Sequence, residues 1–355
     1  MQLSFTYEAN PGRTIFAPGS LASLGDELTR LGFSRALIIC TPPQRDLAER
    51  INAMLGDRSA GIFDGALMHV PFETVVACRD VALKSLADCT VAIGGGSTTG
   101  LAKALALEDG LPIVAVPTTY AGSEMTPIWG MTKDRRKVTG RDKAVLPKTV
   151  IYDPELLVSL PASITGPSGL NAIAHAVEAL YAPEANPITS LMAEEAIRAI
   201  GQGLPKSIET PNDIGARSST LYGAWLAGAT LGMVGMGLHH KICHTLGGTF
   251  DLPHADVHAI VLPYVAEFNA SAAPGAMARV AMALGGLAAS DAGRCLYDLR
   301  RKTCPKQSLA SLGMAQSDIR HAAELASAGS YPNPRIASAD DVERIIIEAF
   351  HGLQP

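Results

Sequence analysis

The stretch from Gly237 to Ala259 carries five of the chain's nine histidines. The five are His239, His240, His244, His254 and His258. Imidazole is the commonest metal ligand among side chains, and near neutral pH it also donates and accepts protons. So dense a set predicts either a metal site or an acid–base site, and the choice depends on which other residues join it.

A glycine-rich turn follows the apolar run TVAI. Gly94, Gly95, Gly96 and Ser97 come next, and a helical pattern begins after them. Glycines let the backbone approach a ligand closely, and the N-terminus of a helix presents free N–H groups that suit a phosphate. Thr99 stands where the G-x-G-x-x-G fingerprint has its last glycine, so a simple tight turn is the alternative.

A second loop, Val116–Glu124, also leaves an apolar run and is dense in hydroxyls, with Thr118, Thr119 and Ser123. Two such loops at the carboxyl ends of parallel strands are typical of a nucleotide crevice. The chain lacks the G-x-x-x-x-G-K-[ST] pattern, so a dinucleotide is favoured over a nucleoside triphosphate. Thr41, at the end of the first clear strand, neither holds a ribose 2′-hydroxyl nor repels a 2′-phosphate strongly, which predicts that both NADH and NADPH bind.

These loops need a sheet to position them. Short apolar runs at residues 36–40, 90–94, 112–116 and 149–153 alternate with amphipathic helical patterns, which predicts a mostly parallel sheet covered on both faces. After about Pro154 only helical periodicity remains. We therefore expect an α/β Rossmann-like domain over residues 1–154 and an all-α domain over residues 155–355.

The composition narrows the class of protein. Apolar residues make up 47% and charged residues 18%, which favours a sizeable core over disorder. A net charge of −5 disfavours nucleic acid as a partner. The six cysteines form no C-x-x-C pair, and the N-terminus has no secretory signal pattern. The uncharged stretch Leu221–Leu238 is predicted to be a buried helix rather than a membrane span, so we expect a cytoplasmic enzyme.

Several of these motifs together resemble the iron-containing alcohol dehydrogenase superfamily. They are GGGS, PTT ending in Ser123-Glu124, LPKTVIYDP, HAVEA, and H-x-x-x-H-x-L-G followed by PH. The resemblance covers nearly the whole chain. It implies a Rossmann-like domain, a helical domain of the dehydroquinate synthase type, and an active site in the cleft between them.

Metal-dependent members of that superfamily bind a divalent ion through one aspartate and three histidines. The resemblance places the histidines at His175, His240 and His254, and the aspartate four residues before His175. This chain has Asn171 there. A neutral amide replaces the anionic ligand that offsets the charge of a divalent ion, so we predict that no metal is required.

The segments FDGALMHVP and PTTYAGSEMTPIWG are similar to one branch in particular, the maleylacetate reductases. Members of that branch reduce the carbon–carbon double bond of maleylacetate to 3-oxoadipate with NADH or NADPH, in the breakdown of aromatic compounds. That double bond is conjugated to a ketone, so hydride addition leaves an enolate, which is much less basic than an alkoxide. Hydrogen-bond donors can stabilise it, and protonated imidazoles would also attract the two carboxylates of the substrate.

The resemblance gives roles to single residues. His244 matches a histidine near the nicotinamide, and we expect it to donate a proton or stabilise the enolate. His175, His240 and His254 are expected to line the substrate pocket, and Tyr120 to contact substrate.

Weaker expectations concern the residues around these positions. Lys137 is expected to approach the cofactor phosphates, and Glu178 to make a structural contact near His175. Tyr331 and Arg335 are candidate carboxylate contacts, with an ordinary loop role as the alternative. For His239 and His258 a solvated or packing role is favoured.

The alternatives are an iron- or zinc-dependent alcohol dehydrogenase, a dehydroquinate synthase-like lyase and a nucleotide-binding protein without catalysis. The first two need a metal, so Asn171 counts against them, and the intact cleft motifs count against the third. The expected partners are a small dicarboxylate and, from the resemblance, a second copy of the chain in a homodimer; neither a membrane nor nucleic acid is expected.

Overall fold

The computed structural model describes residues 5–10, 12–133 and 136–355. The chain forms two compact units. One comprises Ala9–Val158, and the other comprises Ser159–Pro355 together with residues 5–8. The division falls after Val158 rather than after Pro154, because Leu156 packs against the core of the N-terminal unit.

A six-stranded sheet forms the centre of the N-terminal unit, and all its neighbouring strands are parallel. Its strands are β1 (Arg13–Phe16), β2 (Ala36–Ile39), β3 (Ser59–Phe63), β4 (Cys89–Gly94), β5 (Ile113–Pro117) and β8 (Thr149–Tyr152), in the spatial order β1-β8-β5-β4-β2-β3. The central strands are buried along their whole length, as expected for a parallel sheet with both faces covered. The four predicted strands agree with β2, β4, β5 and β8 to within one residue at each end.

The unit also contains four α-helices, an antiparallel hairpin and several short 3-10 helices. The α-helices are α1 (Leu24–Leu31), α2 (Arg45–Leu55), α3 (Phe72–Lys84) and α4 (Gly96–Asp109), and the hairpin strands are β6 (Ile128–Lys133) and β7 (Arg136–Arg141). Strands β1, β3, β6 and β7 were not predicted. None of their residues is fully buried, so their sequences lack the continuous apolar run of a buried strand.

The described residues of the second unit form helices and connecting loops, with no strand among them. Its helices are α5 (Ala162–Ala179), α6 (Pro187–Glu209), α7 (Ile214–Met233), α8 (Leu238–Phe250), α9 (His254–Asn269), α10 (Pro274–Ala283), α11 (Ala292–Thr303), α12 (Ile319–Ser327) and α13 (Ala339–His351). Helices α8, α9, α12 and α13 share one apolar core that includes Ile242, Val261, Ala322 and Ile346. The predicted fold class, a parallel α/β unit followed by an all-helical one, is confirmed.

The uncharged stretch Leu221–Leu238 is not one helix. It spans the end of α7, a break, and the first residue of α8, and the two helices are bent by 97°. Among the described residues, no single helix is long and apolar enough to cross a membrane, although this bent pair meets the length and composition criteria when taken together.

Candidate active site

Three helices of the second unit bring six histidines together. Helix α5 contributes His175. Helix α8 contributes His239, His240 and His244, and helix α9 contributes His254 and His258. Asn171 lies four residues before His175 on α5, so the two side chains share one face of that helix. Both are buried, and each keeps a buried polar atom without a hydrogen-bond partner, Asn171 Oδ1 and His175 Nδ1.

His258 lies at the centre of this histidine cluster. Its ring centroid is 4.2 Å from that of His254, 4.8 Å from that of His240 and 4.9 Å from that of His239. His175 stacks on His240 at 5.1 Å. The rings therefore form one continuous group rather than separate pairs.

His244 and His254 form the accessible side of the histidine cluster. His244 is exposed and His254 is half-buried, and their rings stack at 6.0 Å. The other four rings are buried. His244 is therefore the ring of this cluster that is most accessible to a ligand from solvent.

The Glu178 carboxylate, on α5, organises one side of the cluster. It accepts hydrogen bonds from the N–H groups of Gly237 at 2.8 Å and His239 at 2.8 Å, and it contacts His240 Nδ1 at 2.6 Å. Burial by itself would raise the pKa of Glu178, but the adjacent His240 ring and the other donors lower it to about 2. An ionised carboxylate thus holds the first turn of α8, together with the His240 ring. The predicted structural contact of Glu178 is present. The carboxylate also binds the first turn of α8, which the sequence did not indicate.

For His239 and His258 the sequence favoured a solvated or a packing role. The solvated role is wrong. Both side chains are fully buried and contact His240. His239 Nε2 lies 3.1 Å from the carbonyl oxygen of His258, which fixes this ring between α8 and α9. The sequence signal that was available is the spacing His254–His258, which places both residues on one face of α9.

Burial also corrects the expected charge of the site. It lowers the pKa of His175 and His258 well below the usual range and that of His239 to about 4, with the neighbouring imidazoles adding to the effect. These three rings are therefore neutral near pH 7. Of the three, only His175 was expected in the substrate pocket, so burial argues against a protonated imidazole at that position.

The histidine cluster lacks a free carboxylate of the kind that iron sites usually include. The imidazoles whose ring nitrogens lie within 4.8 Å of one another are His239, His240 and His258, not the set that the resemblance implied. Imidazole binds a metal in its neutral form, so all three would be uncharged ligands. Non-haem Fe(II) sites usually include a carboxylate ligand as well. The nearby carboxylate, Glu178, is already engaged by His240 and by two backbone N–H groups, and Asn171 offers only an amide.

In the N-terminal unit, the glycine turn has the geometry that was predicted for it. Gly94 has a φ of 144°, and a side chain there would lie 2.6 Å from Thr98 Oγ1; one at Gly95 would lie 2.8 Å from Thr119 Oγ1. Helix α4 begins at Gly96 without a side-chain cap, so its first N–H groups remain available to an anion. Thr119 Oγ1 is buried and has no hydrogen-bond partner in the structure. These features fit the pyrophosphate of a dinucleotide.

A hydrogen-bonded chain joins the ends of strands β2 and β5. Thr41 Oγ1 donates to Gln44 Oε1 at 3.1 Å, and Gln44 Nε2 donates to Thr118 Oγ1. The Thr118 N–H in turn donates to the carbonyl of Gly94 at 2.9 Å. Gln44 was missed by the sequence reasoning, because one glutamine after a Pro-Pro pair carries no signal of its own.

The structure places the weaker candidates as follows. Tyr120 lies in the loop that follows β5, and its side chain is fully buried. Lys137 lies on β7 and is exposed. Tyr331 packs against the apolar core of the helical unit. The Arg335 guanidinium lies 3.9 Å from the centre of the Phe268 ring and 3.7 Å from Asp341, contacts that support a local structural role.

Comparison with known proteins covers both units. Residues 11–154 match the family model described as iron-containing alcohol dehydrogenase, and residues 165–350 match that of the Fe-containing alcohol dehydrogenase family, C-terminal. The chain is 57% identical over 345 residues to maleylacetate reductase 2 of Cupriavidus pinatubonensis, with 97% of this chain and 96% of that protein covered. It is 53% identical to maleylacetate reductase of Sphingobium indicum, with 99% of each chain covered.

A solved structure gives the same result. The crystal structure of maleylacetate reductase from Agrobacterium tumefaciens is 47% identical, covers 100% of both chains and superposes with a TM-score of 0.95. Because the family models match both units and the relatives span nearly the whole chain, the protein belongs to the iron-containing alcohol dehydrogenase family.

Proposed function

We propose that this chain is a reductase that converts maleylacetate to 3-oxoadipate with NADH or NADPH. The observation that carries the proposal is the 47–57% identity to proteins described as maleylacetate reductases, over nearly the full length of each. A small dicarboxylate is then the substrate. Assembly as a homodimer remains a prediction.

The chemistry agrees with the histidine cluster. A bound nicotinamide cofactor would supply a hydride to the carbon β to the ketone, and the substrate would then carry the negative charge as an enolate. We expect the exposed His244 to donate the proton that the α-carbon needs, since histidine is suited to this task near neutral pH. The ionised carboxylate of Glu178 contacts His240 Nδ1. It would therefore balance a positive charge on the His240 ring. We expect that charge to stabilise the enolate or a carboxylate of the substrate.

We further propose that the reaction requires no metal ion. The support is the neutral donor set, with Asn171 in the position of the anionic ligand and Glu178 already engaged. An enolate needs less stabilisation than the alkoxide of an alcohol dehydrogenase, and one hydrogen-bond donor aimed at developing charge contributes roughly 3–4 kcal/mol.

The test follows NADH absorbance with maleylacetate, with and without chelator, alongside elemental analysis of the purified protein. We expect oxidation of NADH that chelator does not change, and higher metal affinity in Asn171→Asp. About one iron or zinc per chain with activity abolished by chelation would disprove metal independence. Oxidation of simple alcohols without turnover of maleylacetate would disprove the reductase assignment.

Cofactor choice is tested at Thr41. Because this residue carries no charge, we expect kcat/KM for NADH and NADPH to differ by less than about a hundredfold. Thr41→Asp should favour NADH, since a carboxylate repels the 2′-phosphate. Rejection of either cofactor by the unmodified protein would contradict this interpretation.

A further inference from the structure

Helix α4 carries a lysine whose side chain is fully buried. The Lys103 ammonium donates hydrogen bonds to the carbonyl oxygens of Ser123 at 2.7 Å, Thr126 at 2.8 Å and Ile128 at 2.7 Å, and to Thr126 Oγ1 at 3.0 Å. Burial lowers its pKa to about 7, with the Glu124 carboxyl acting in the opposite direction. A buried charge is costly unless such contacts compensate for it, and here the compensation comes mainly from backbone carbonyls.

The acceptors lie in one loop and in the first residue of the strand after it. Residues 118–127 connect strand β5 to strand β6, which begins at Ile128, and the loop includes Thr118, Thr119 and Ser123, the hydroxyl residues predicted to contact the cofactor. The three carbonyls converge on one nitrogen, and each loses a charged donor if the ammonium is removed, although the Ser123 carbonyl keeps the N–H and hydroxyl of Thr126. A buried polar group that loses its partner costs about 1–3 kcal/mol. The geometry of this loop therefore depends on the lysine.

The same lysine connects the loop to the glycine turn. Lys103 lies on α4, whose first residue is Gly96. Its ammonium thus fixes the β5–β6 loop directly to the helix whose N-terminus is the candidate pyrophosphate site.

We propose that Lys103 is a positioning residue for the nicotinamide nucleotide: its ammonium holds residues 123–128 against α4, so that the hydroxyls of the β5–β6 loop and the N-terminus of α4 bind the cofactor together. This inference rests on the proposed function, because it assumes that NADH or NADPH is the ligand of this unit. Lys103 contacts no reacting atom, so it acts on cofactor affinity rather than on hydride transfer.

The test compares Lys103→Met, which keeps most of the side-chain volume and removes the ammonium, with Lys84→Met, an exposed lysine on α3. NADH affinity is measured by fluorescence titration of the full-length protein, and steady-state kinetics give KM for NADH and kcat at saturating NADH. We expect Lys103→Met to weaken NADH binding by roughly 10- to 100-fold, the usual effect of losing hydrogen bonds to a charged group, with kcat changed much less. Lys84→Met should behave as the unmodified protein.

A second pair of variants keeps the lysine and covers the case in which Lys103→Met does not fold. Thr126→Val removes the hydroxyl that accepts from Lys103, together with its bonds to the Ser123 carbonyl and the Ile128 N–H, at nearly constant shape, and Thr126→Ser restores the hydroxyl. We expect weaker NADH binding in the valine variant and recovery in the serine variant.

Unchanged NADH affinity in Lys103→Met, or equal affinity in Thr126→Val and Thr126→Ser, would overturn the role of Lys103. An unmodified protein that does not bind NADH at all would overturn the proposed function, and this inference with it.

Discussion

His244 differs from the other histidines of its cluster in exposure, and the first prediction concerns this residue. His244 is exposed, whereas His175 and His240 are buried. If it donates the proton, His244→Ala should lower kcat by roughly 10²–10⁴, the usual range for a lost acid–base group. Alanine at His175, which is predicted to line the substrate pocket, should mainly raise KM. His321→Ala, an exposed histidine on α12, is the matched control. An unchanged kcat in His244→Ala would remove this residue from the mechanism.

Glu178 is the second residue whose charge matters. Glu178→Gln keeps the side chain's shape but removes the negative charge next to His240 Nδ1. We expect kcat/KM to fall by about 10- to 100-fold, because hydrogen bonds to charged groups contribute about 1.5–3 kcal/mol. Glu184→Gln is the control, since Glu184 is exposed and accepts one bond, from the N–H of Gly235. Equal activity in both variants would show that the charge on Glu178 is not used.

At the scale of elements, the packing of α5 against the end of α11 positions the cluster. A side chain at Gly166 would place its Cβ 1.9 Å from the carbonyl oxygen of Thr303, so the two helices must separate to admit it. Gly166→Ala should therefore destabilise the protein by at least about 1–3 kcal/mol, as overpacking does. Because α5 also carries His175, activity should fall as well.

The control for this prediction is Gly275→Ala on α10. A Cβ at Gly275 meets no atom within 4 Å, and replacing a helical glycine by alanine stabilises by roughly 0.5–1 kcal/mol. Urea unfolding followed by circular dichroism measures both effects. A Gly166→Ala protein as stable as Gly275→Ala would contradict the packing argument.

For the whole molecule, the buried imidazoles predict how stability depends on pH. The pKa values of His175, His239 and His258 lie below the unfolded value of about 6.5, so the stability that these rings contribute is present above pH 6.5. It is lost as the pH falls towards the folded values, about 4 for His239. Between these limits each ring contributes a slope of up to roughly 1.4 kcal/mol per pH unit.

Urea unfolding between pH 7.5 and 5 measures this slope. We expect His239→Gln to reduce the slope and His321→Gln, at an exposed position on α12, to leave it unchanged. A free energy of unfolding that is constant over this range would show that the cluster is not buried as a neutral group.

The sequence by itself determined the class of fold and most of the elements that carry chemistry. Strands β2, β4, β5 and β8 were predictable because a strand that is buried on both faces reads as a continuous apolar run. The glycine turn was predictable because the left-handed backbone at Gly94 demands glycine. Asn171 was informative because a change of residue type within a known motif shows directly in the sequence.

Only the tertiary structure decided which side chains meet. His258 lies at the centre of the histidine cluster, and Glu178 binds His240 from another helix. Lys103 donates hydrogen bonds to three carbonyls that lie 20 to 25 residues further along the chain. In the sequence these residues are an extra histidine, a helical glutamate and an ordinary lysine. Burial and the partners that packing supplies determine their charge and contacts, and both depend on how helices pack rather than on the order of residues along any one of them.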